Sequence, residues 1–216
     1  MDIKVLFADD HQVFHDCVKA LFEPHECIRI IATASDGRAT VKLARELNPD
    51  VVVMDLSMPL LNGIDATQQI LAENPDAKVL VLSSHKDRKT IVSAIKAGAR
   101  GYMVKEAAIG ELIQAIEAVA AGRMYLSSHI IDKVLDALLV EEGSQEETSP
   151  LDRLSTRERE ILQLLAEGKN AREIAKIISL SQKTVESHRQ NLMQKLGAET
   201  ISDLTRIAIR EGLTTL

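Results

Sequence analysis

Five polar side chains of types suited to phosphate and metal chemistry follow directly after short apolar runs in this 216-residue chain. They are three carboxylates, one hydroxyl and one amine, namely Asp9, Asp10, Asp55, Ser83 and Lys105. An uninterrupted apolar run predicts a strand buried on both faces, so a charged residue should lie at its end. The carboxyl ends of parallel strands meet at one edge of a sheet, where ligands of open α/β sheets bind. We therefore expect the five side chains to converge.

This convergence predicts a phosphoryl-transfer site. Clustered carboxylates repel one another, so packing alone gives no reason to collect three of them. A hard divalent cation such as Mg²⁺ does, because it takes oxygen ligands and often shares a phosphate. Lys105 and Ser83 would bind the phosphate oxygens, and Asp55 would be the carboxylate nucleophile. The simpler alternatives are that Asp55 only ends a strand and opens a turn, and that Ser83 is an ordinary strand-end hydroxyl.

The elements that must position these residues alternate between strand and helix. Apolar patterning predicts strands at 3–8, 28–32, 51–54, 78–82 and 101–104. Helical spacing predicts helices at 13–22, 37–47, 64–72, 88–97 and 108–121. Five strands alternating with five helices predict an α/β fold, in which a doubly wound parallel sheet has right-handed crossovers.

Composition narrows the functional class. The chain is 45% hydrophobic but only 2% aromatic and has no Trp, which argues against carbohydrate binding and against stacking platforms for single strands. No apolar run reaches the roughly 18 residues of a membrane span, and the first residues are not typical of a signal peptide. Cys17 and Cys27 show no metal-binding spacing. We expect a cytoplasmic protein with reduced cysteines and no membrane partner.

The charge distribution predicts two domains joined by a linker. Residues 1–150 hold 15 Lys and Arg against 23 Asp and Glu, a net charge of −8, whereas residues 151–216 hold 11 against 9, a net charge of +2. Between them, 130–140 has the pattern of an amphipathic helix capped by Ser128, and 141–150 holds four Glu with no large apolar residue. We therefore predict domains at 1–123 and 153–216, with 124–152 as linker.

The second domain is predicted to be a small bundle of four helices that contains a helix-turn-helix. Residues typical of helix N-caps are Ser155, Asn170, Ser181 and Thr200. The two middle helices are joined by a tight turn, as in a helix-turn-helix. The third helix carries a polar face of residues able to contact bases or phosphates, namely Lys183, Glu186, Ser187, Gln190 and Gln194. From spacing alone, an ordinary solvated helix face is the simpler interpretation.

The first domain resembles the receiver domain of bacterial two-component response regulators. The matching residues are Asp9-Asp10, Asp55, Met58-Pro59, Asn62-Gly63, Ser83, Gly98-Ala99, Gly101-Tyr102 and Lys105. The resemblance implies a flavodoxin-like fold with a five-stranded sheet in the order 2-1-3-4-5. It also implies that Asp55 is the phosphoacceptor. Mg²⁺ would be held by Asp9, Asp10, Asp55 and the backbone carbonyl of Ser57.

The resemblance assigns roles to three further residues. Lys105 would pair with the acyl phosphate, Ser83 would move to hydrogen-bond it, and Tyr102 would turn inward in response. Ser57 and His85 occupy positions that influence phosphoryl hydrolysis in the family. One departure is Glu106, which stands where many receivers have the Pro that makes a cis peptide bond accessible.

The second domain closely resembles the LuxR-type DNA-binding domain, so that the whole chain is similar to NarL/FixJ-type response regulators. The matching residues are 154–160, 164–168, 173–175, Ser181, Thr184-Val185, His188 and 195–197. The resemblance implies that the third helix reads DNA, with contacts from Lys183, Thr184, Glu186, Ser187, His188, Gln190 and Gln194. A Lys is common at the position of Glu186, so the operator should differ from that of lysine-bearing relatives.

These resemblances together imply a transcription regulator rather than an enzyme. A sensor histidine kinase would phosphorylate Asp55, and the phosphorylated chain would form a homodimer on double-stranded DNA, with RNA polymerase as a further candidate partner. One alternative is a regulator controlled by a partner or ligand, with a silent receiver. Another is an aspartyl-phosphate phosphatase, but Ser57 stands where that class needs a catalytic acid, and no insertion provides a cap domain.

Overall fold

The computed structural model describes residues 2–106, 109–128, 130–131 and 149–214. Most of the predicted helix at 130–140, and the Glu-rich stretch as far as residue 148, lie outside the described residues. Within the described residues, no helix has both the length and the apolar character that crossing a membrane requires.

The first half is built on a parallel sheet in the order β2-β1-β3-β4-β5-β6. The strands are β1 (Ile3–Ala8), β2 (Ile28–Ala34), β3 (Val51–Met54), β4 (Val79–Ser83), β5 (Gly101–Val104) and β6 (Tyr125–Leu126). The predicted flavodoxin-like order of the first five strands is confirmed. The sixth strand was not predicted, because a two-residue strand shows no periodicity.

In the part of the chain that the structure describes, five helices cover the two faces of this sheet: α1 (Gln12–Phe22), α2 (Gly37–Leu47), α3 (Gly63–Glu73), α4 (Arg88–Lys96) and α5 (Ile109–Ala120). Apolar residues of α1 and α5 form one core with the sheet, whereas those of α2, α3 and α4 pack on the other face. Strand β3 is therefore covered on both sides, and all four of its residues are buried. This is why its sequence is continuously apolar rather than alternating.

The second half is helical. A short 3₁₀ turn (Pro150–Arg153) leads into α6 (Thr156–Ala166), α7 (Ala171–Ile177), α8 (Gln182–Leu196) and α9 (Ile201–Arg210). All four predicted caps are present: Ser155, Asn170, Ser181 and Thr200 each accept a hydrogen bond from a backbone N–H of the first turn. Such a cap stabilises a helix by about 0.5–2 kcal/mol, so the sequence defines these starts locally.

The two halves are in direct contact. Helix α6 packs against α3 and against the loop between β3 and α3, which we call the β3–α3 loop (residues 55–62). The side chain of Leu60 from this loop packs on the apolar core of the helical half. The first element of the second half is thereby placed beside the edge of the sheet that carries Asp55.

Candidate functional site

Backbone hydrogen bonds between neighbouring strands hold two of the predicted acids, Asp9 and Asp55, at the carboxyl edge of the sheet. The N–H of Asp55 donates to the carbonyl of Ala8 at 2.9 Å, and the N–H of Asp9 donates to Ala34 at 2.9 Å. Asp55 is 2% exposed and Asp9 1% exposed, whereas Asp10 faces solvent. The strand ends therefore fix the backbones of these carboxylates.

Lys105 joins the two buried carboxylates. Its Nζ lies 2.8 Å from Asp55 Oδ2 and 2.8 Å from Asp9 Oδ2, and 5.5 Å from the ring centroid of Phe14. Burial raises the pKa of Asp55, with Lys105 opposing that shift and Asp9 adding to it. Burial alone would lower the pKa of Lys105, but its bonds to Asp55 and Asp9 outweigh this effect and raise it. The ammonium group thus stays charged between two carboxylates.

A group of possible metal ligands lies at the same edge. One ligand atom each from Asp9, Asp10, His11 and Asp55 falls within 4.8 Å of the others. His11 Nδ1 lies 3.0 Å from an oxygen of Asp9 and 2.8 Å from an oxygen of Asp10. The carboxylate oxygens are the hard donors that Mg²⁺ prefers, so the residues present fit that ion. His11 was not predicted, although it directly follows the acidic pair.

The predicted switch residues meet at His85. The hydroxyl of Tyr102 donates to the carbonyl of His85 at 2.8 Å, and the N–H of His85 donates to Ser83 Oγ at 3.2 Å. Ser83 and Tyr102 are fully buried, and burial raises the pKa of Tyr102. The imidazole Nε2 of His85 lies 3.0 Å from Ser57 Oγ. The residues two positions beyond Asp55 and Ser83 are therefore joined to each other, a pairing that the sequence did not indicate.

Gly63 is required for the β3–α3 loop to close against the site. A Cβ at Gly63 would lie 2.0 Å from the backbone oxygen of Asp55, a distance that no side chain could occupy. The N–H of Gly63 donates to Leu56 O at 2.9 Å. Helix α3 consequently starts in direct contact with the backbone of the phosphoacceptor candidate.

Helix α8 presents the predicted base-reading residues. Val185 and Leu192 are buried in the core of the helical half, which turns the opposite face outward. Lys183, Ser187, Gln190 and Gln194 are exposed, and Thr184, Glu186 and His188 are partly buried. The hydroxyl of Thr184 lies 2.7 Å from the cap residue Ser181, so it also takes part in starting the helix. The described contacts leave the exposed face of α8 open.

Two ion pairs shape this helix. Arg189 lies 2.8 Å from Glu186, and Lys195 lies 2.8 Å from Glu158 of α6. Burial acts to raise the pKa of Glu158, but hydrogen bonds from Lys195 and Ser155 outweigh it and lower the pKa. Because of its pair with Arg189, the Glu186 carboxylate has a cationic neighbour one helical turn away. Arg189 was not predicted as part of the polar face, although it lies three residues beyond Glu186.

The sequence matches two known families, each over one half. It matches the response regulator receiver domain over residues 5–117 and the luxR family of bacterial regulatory proteins over residues 152–208. It is 40% identical over 207 residues to the transcriptional regulatory protein LiaR of Bacillus subtilis, covering 96% of this chain and 95% of LiaR. It is 39% identical over 211 residues to MctR of Rhizobium johnstonii, covering 98% and 95%.

Solved structures agree in fold along the whole chain. RcsB of Salmonella typhimurium has a TM-score of 0.62 and 25% identity, covering 99% of each chain. The structure of an RcsB–DNA complex has a TM-score of 0.57 and 26% identity, covering 97% of this chain and 98% of that one. With a receiver followed by a LuxR-type helix-turn-helix in one chain, the protein belongs to the NarL/FixJ-type two-component response regulators, a family that regulates transcription.

Proposed function

We propose that this response regulator is switched by transfer of a phosphoryl group from a sensor histidine kinase to Asp55. The observation that carries the proposal is the bridge of Lys105 between Asp55 and Asp9, at 2.8 Å on each side. A carboxylate oxygen of Asp55 would form a bond to phosphorus while the phosphorus–nitrogen bond to the kinase histidine breaks. The imidazole of the kinase is the leaving group, and Lys105 stabilises the charge on the phosphoryl oxygens.

Mg²⁺ is the cofactor that we assign to this reaction. Asp9, Asp10 and Asp55, with the backbone carbonyl of Ser57, would hold it. When bound, the ion neutralises charge on the phosphoryl oxygens. Support comes from the convergence of the ligand atoms within 4.8 Å and from burial, which raises the pKa of Asp55 and disfavours a bare carboxylate.

The signal would pass from the acyl phosphate through Ser83 and Tyr102. Both contact the backbone of His85, so movement of one hydroxyl alters the hydrogen bonds of the other. The response would be homodimerisation of the chain, with the receiver at 1–123, the linker at 124–152 and the DNA-binding domain at 153–216. Light scattering with and without phosphodonor measures this step, and an unchanged mass at every concentration contradicts it.

We assign base and phosphate recognition to α8, in the major groove of double-stranded DNA. Lys183 and Thr184 lie in its first turn, where backbone amides and the helix dipole favour phosphate. Glu186 would accept a hydrogen bond from a cytosine amino group, and Gln190 would pair with adenine. Ser187, His188 and Gln194 complete the DNA-facing set. The DNA-bound regulator would act in the cytoplasm, with RNA polymerase as a candidate partner.

Intact-mass measurement with acetyl phosphate and Mg²⁺ tests the proposal. We expect one phosphoryl group on the wild type and none on Asp55→Ala, with full labelling of Asp16→Ala, in which an exposed aspartate is removed. Equal labelling of the wild type and Asp55→Ala would show that Asp55 is not the acceptor. A wild type that takes up no phosphoryl group would favour control by a partner or ligand instead.

A further inference from the structure

One side chain of the DNA-binding domain is built into the loop that begins at the phosphoacceptor. Gln163 of α6 is 0% exposed. Its Oε1 accepts a hydrogen bond from the N–H of Asn62 at 2.8 Å, and its Nε2 donates to the carbonyl of Met58 at 2.9 Å. Both partners are backbone groups of the β3–α3 loop. A single amide thus fixes two points of that loop, four residues apart.

The loop is held in a backbone conformation that its own sequence disfavours. Leu60 has a φ of 66°, in the left-handed region that residues other than glycine rarely adopt because of its steric cost. The N–H of Leu60 donates to Oε1 of Glu167 at 3.0 Å, and its side chain packs on the core of the helical half. Gln163 Nε2 also donates to that same oxygen at 2.8 Å. The DNA-binding domain therefore supplies the contacts that sustain the strained turn.

The contact is anchored further along α3 and spares the base-reading helix. Arg159 donates to the buried carboxylate of Asp65 at 2.8 Å and to Gln68 at 2.8 Å. Lys183 and Gln190 of α8 remain exposed. The docking of the two halves therefore leaves these two side chains of α8 uncovered. What it does constrain is the conformation of the β3–α3 loop.

We propose that Gln163 is a positioning residue of the phosphoacceptor site, supplied by the DNA-binding domain. This inference rests on the proposed function, because the loop it fixes contains Ser57, whose backbone carbonyl is the proposed metal ligand. A loop that is already held in place loses less conformational entropy when a cation binds than a free loop does. The docked DNA-binding domain thus raises the affinity of the receiver for Mg²⁺, and by linkage Mg²⁺ strengthens the docking.

Replacement of Gln163 by Met in the full chain tests the hydrogen bonds, since Met keeps the volume but bonds neither loop group. We expect Mg²⁺ affinity, measured by calorimetry, to fall about 10-fold, the lower range for removing a group that orients a metal ligand. The Mg²⁺ concentration for half-maximal labelling by acetyl phosphate should rise by the same factor, while the rate at saturating Mg²⁺ stays unchanged. Unchanged Mg²⁺ affinity in Gln163→Met would overturn the proposal.

A second variant separates this residue from docking in general. Lys89→Ala removes the ion pair between α4 and Glu211, which joins the halves away from the loop. We expect its Mg²⁺ affinity to equal that of the wild type. An equal loss in Lys89→Ala and Gln163→Met would show that docking as a whole is responsible, and would end the assignment to Gln163.

Hydrogen exchange of the wild type provides a test that needs no variant to fold. Saturating Mg²⁺ should slow exchange at the amides of Leu60 and Asn62, and exchange unaffected by Mg²⁺ would contradict the linkage. If Asp55 takes up no phosphoryl group, the proposed function fails by itself. The calorimetric comparison of the wild type with Gln163→Met still decides whether the DNA-binding domain tunes the metal site.

Discussion

The edge of the receiver sheet and helix α8 hold their candidate functional side chains in opposite ways. At the sheet edge, Asp9, Asp55 and Lys105 are buried or nearly so, and each charge contacts another. On α8, Lys183 and Gln190 are exposed, and their spacing follows only from the helix. Removing one group at the sheet edge therefore leaves its neighbours unpaired in a low-dielectric site, whereas removing one from the helix affects one contact.

The largest effect is expected for Lys105→Ala, which removes the charge between Asp55 and Asp9. Loss of one preorganised stabilising donor slows reactions of this kind about 100-fold or more, so labelling by acetyl phosphate should fall by that factor. Lys42→Ala, which removes an exposed lysine of α2, should label like the wild type. Labelling kinetics at saturating Mg²⁺ measure both variants, and a change below about threefold for Lys105→Ala would exclude the stabilising role we assign.

The next largest effect concerns the backbone beneath the site. Gly63→Ala places a Cβ 2.0 Å from the backbone oxygen of Asp55, so the β3–α3 loop must shift. We expect a loss of unfolding free energy of about 3 kcal/mol, the upper range for overpacking, together with slower labelling.

Gly110→Ala is the matched control, because a Cβ at this helical glycine would meet no described atom within 4 Å beyond its chain neighbours and its own helix backbone. It should be neutral or stabilising by up to about 1 kcal/mol, since Ala favours a helix over Gly. Denaturant unfolding measures both variants. Equal stability of the two would mean that the loop moves freely and that Gly63 does not hold the site.

On the recognition helix, single substitutions should separate base reading from phosphate binding. Glu186→Ala should relax preference at one base pair by about 1–3 kcal/mol, because a direct contact to one base edge is lost. Lys183→Ala should weaken binding to all sequences. It should also lower the slope of the logarithm of the binding constant against the logarithm of the salt concentration by about one, in magnitude. Binding of both variants to an operator library at several salt concentrations measures these effects.

The ion pair of Glu186 with Arg189 gives this prediction an alternative outcome. Loss of the carboxylate would free the Arg189 guanidinium, which lies 2.8 Å from it in the protein alone. If Glu186→Ala tightens binding to every sequence equally, Glu186 only reduces the positive charge of α8. The proposed contact of Glu186 with cytosine would then be wrong. The charges on α8 would also depend on one another, as those at the sheet edge do.

The sequence predicted the sheet edge well for a physical reason. Asp9 and Asp55 follow apolar runs, and parallel pairing brings such ends together whatever the loops do. Strand β6 escaped prediction because Tyr125–Leu126 is too short to show a period, and its pairing with β5 is decided by tertiary contact. The helix caps were predictable because Ser155 and Asn170 act within one turn of chain.

Gln163 shows what a sequence pattern cannot supply. On an amphipathic helix a glutamine is expected to face water, and only docking of the two halves turns this position into a buried one. The same holds for Glu167, which looks like an exposed residue near the end of α6. The contact with Leu60 joins residues 107 positions apart, a distance over which local periodicity carries no information.

The smallest predicted effect is at Glu167, where the helical half contacts the β3–α3 loop. Burial raises the pKa of Glu167, although bonds from Gln163 and Leu60 oppose the shift. The folded protein thus favours the protonated carboxyl. The stabilisation from the protonated Glu167 is fully present below the pKa that Glu167 has in the unfolded chain. It is lost as the pH rises through the higher pKa that Glu167 has in the folded protein. Glu167→Gln keeps an acceptor oxygen for both donors but cannot ionise. We expect it to be more stable than the wild type at pH 7, by less than about 1 kcal/mol because solvent screens this partly exposed group.

Unfolding free energies of the wild type and Glu167→Gln, measured from acid to neutral pH, test this sign. The difference should vanish at low pH, where both side chains are uncharged, and grow as the wild-type carboxyl ionises. Glu199→Gln, which removes a carboxylate at an exposed position, is the matched control. A wild type that instead gains stability over Glu167→Gln as pH rises would mean that the charged carboxylate strengthens the bond to Leu60. The β3–α3 loop would then be held partly by charge, and the contact between the two halves of the chain would strengthen rather than weaken as pH rises.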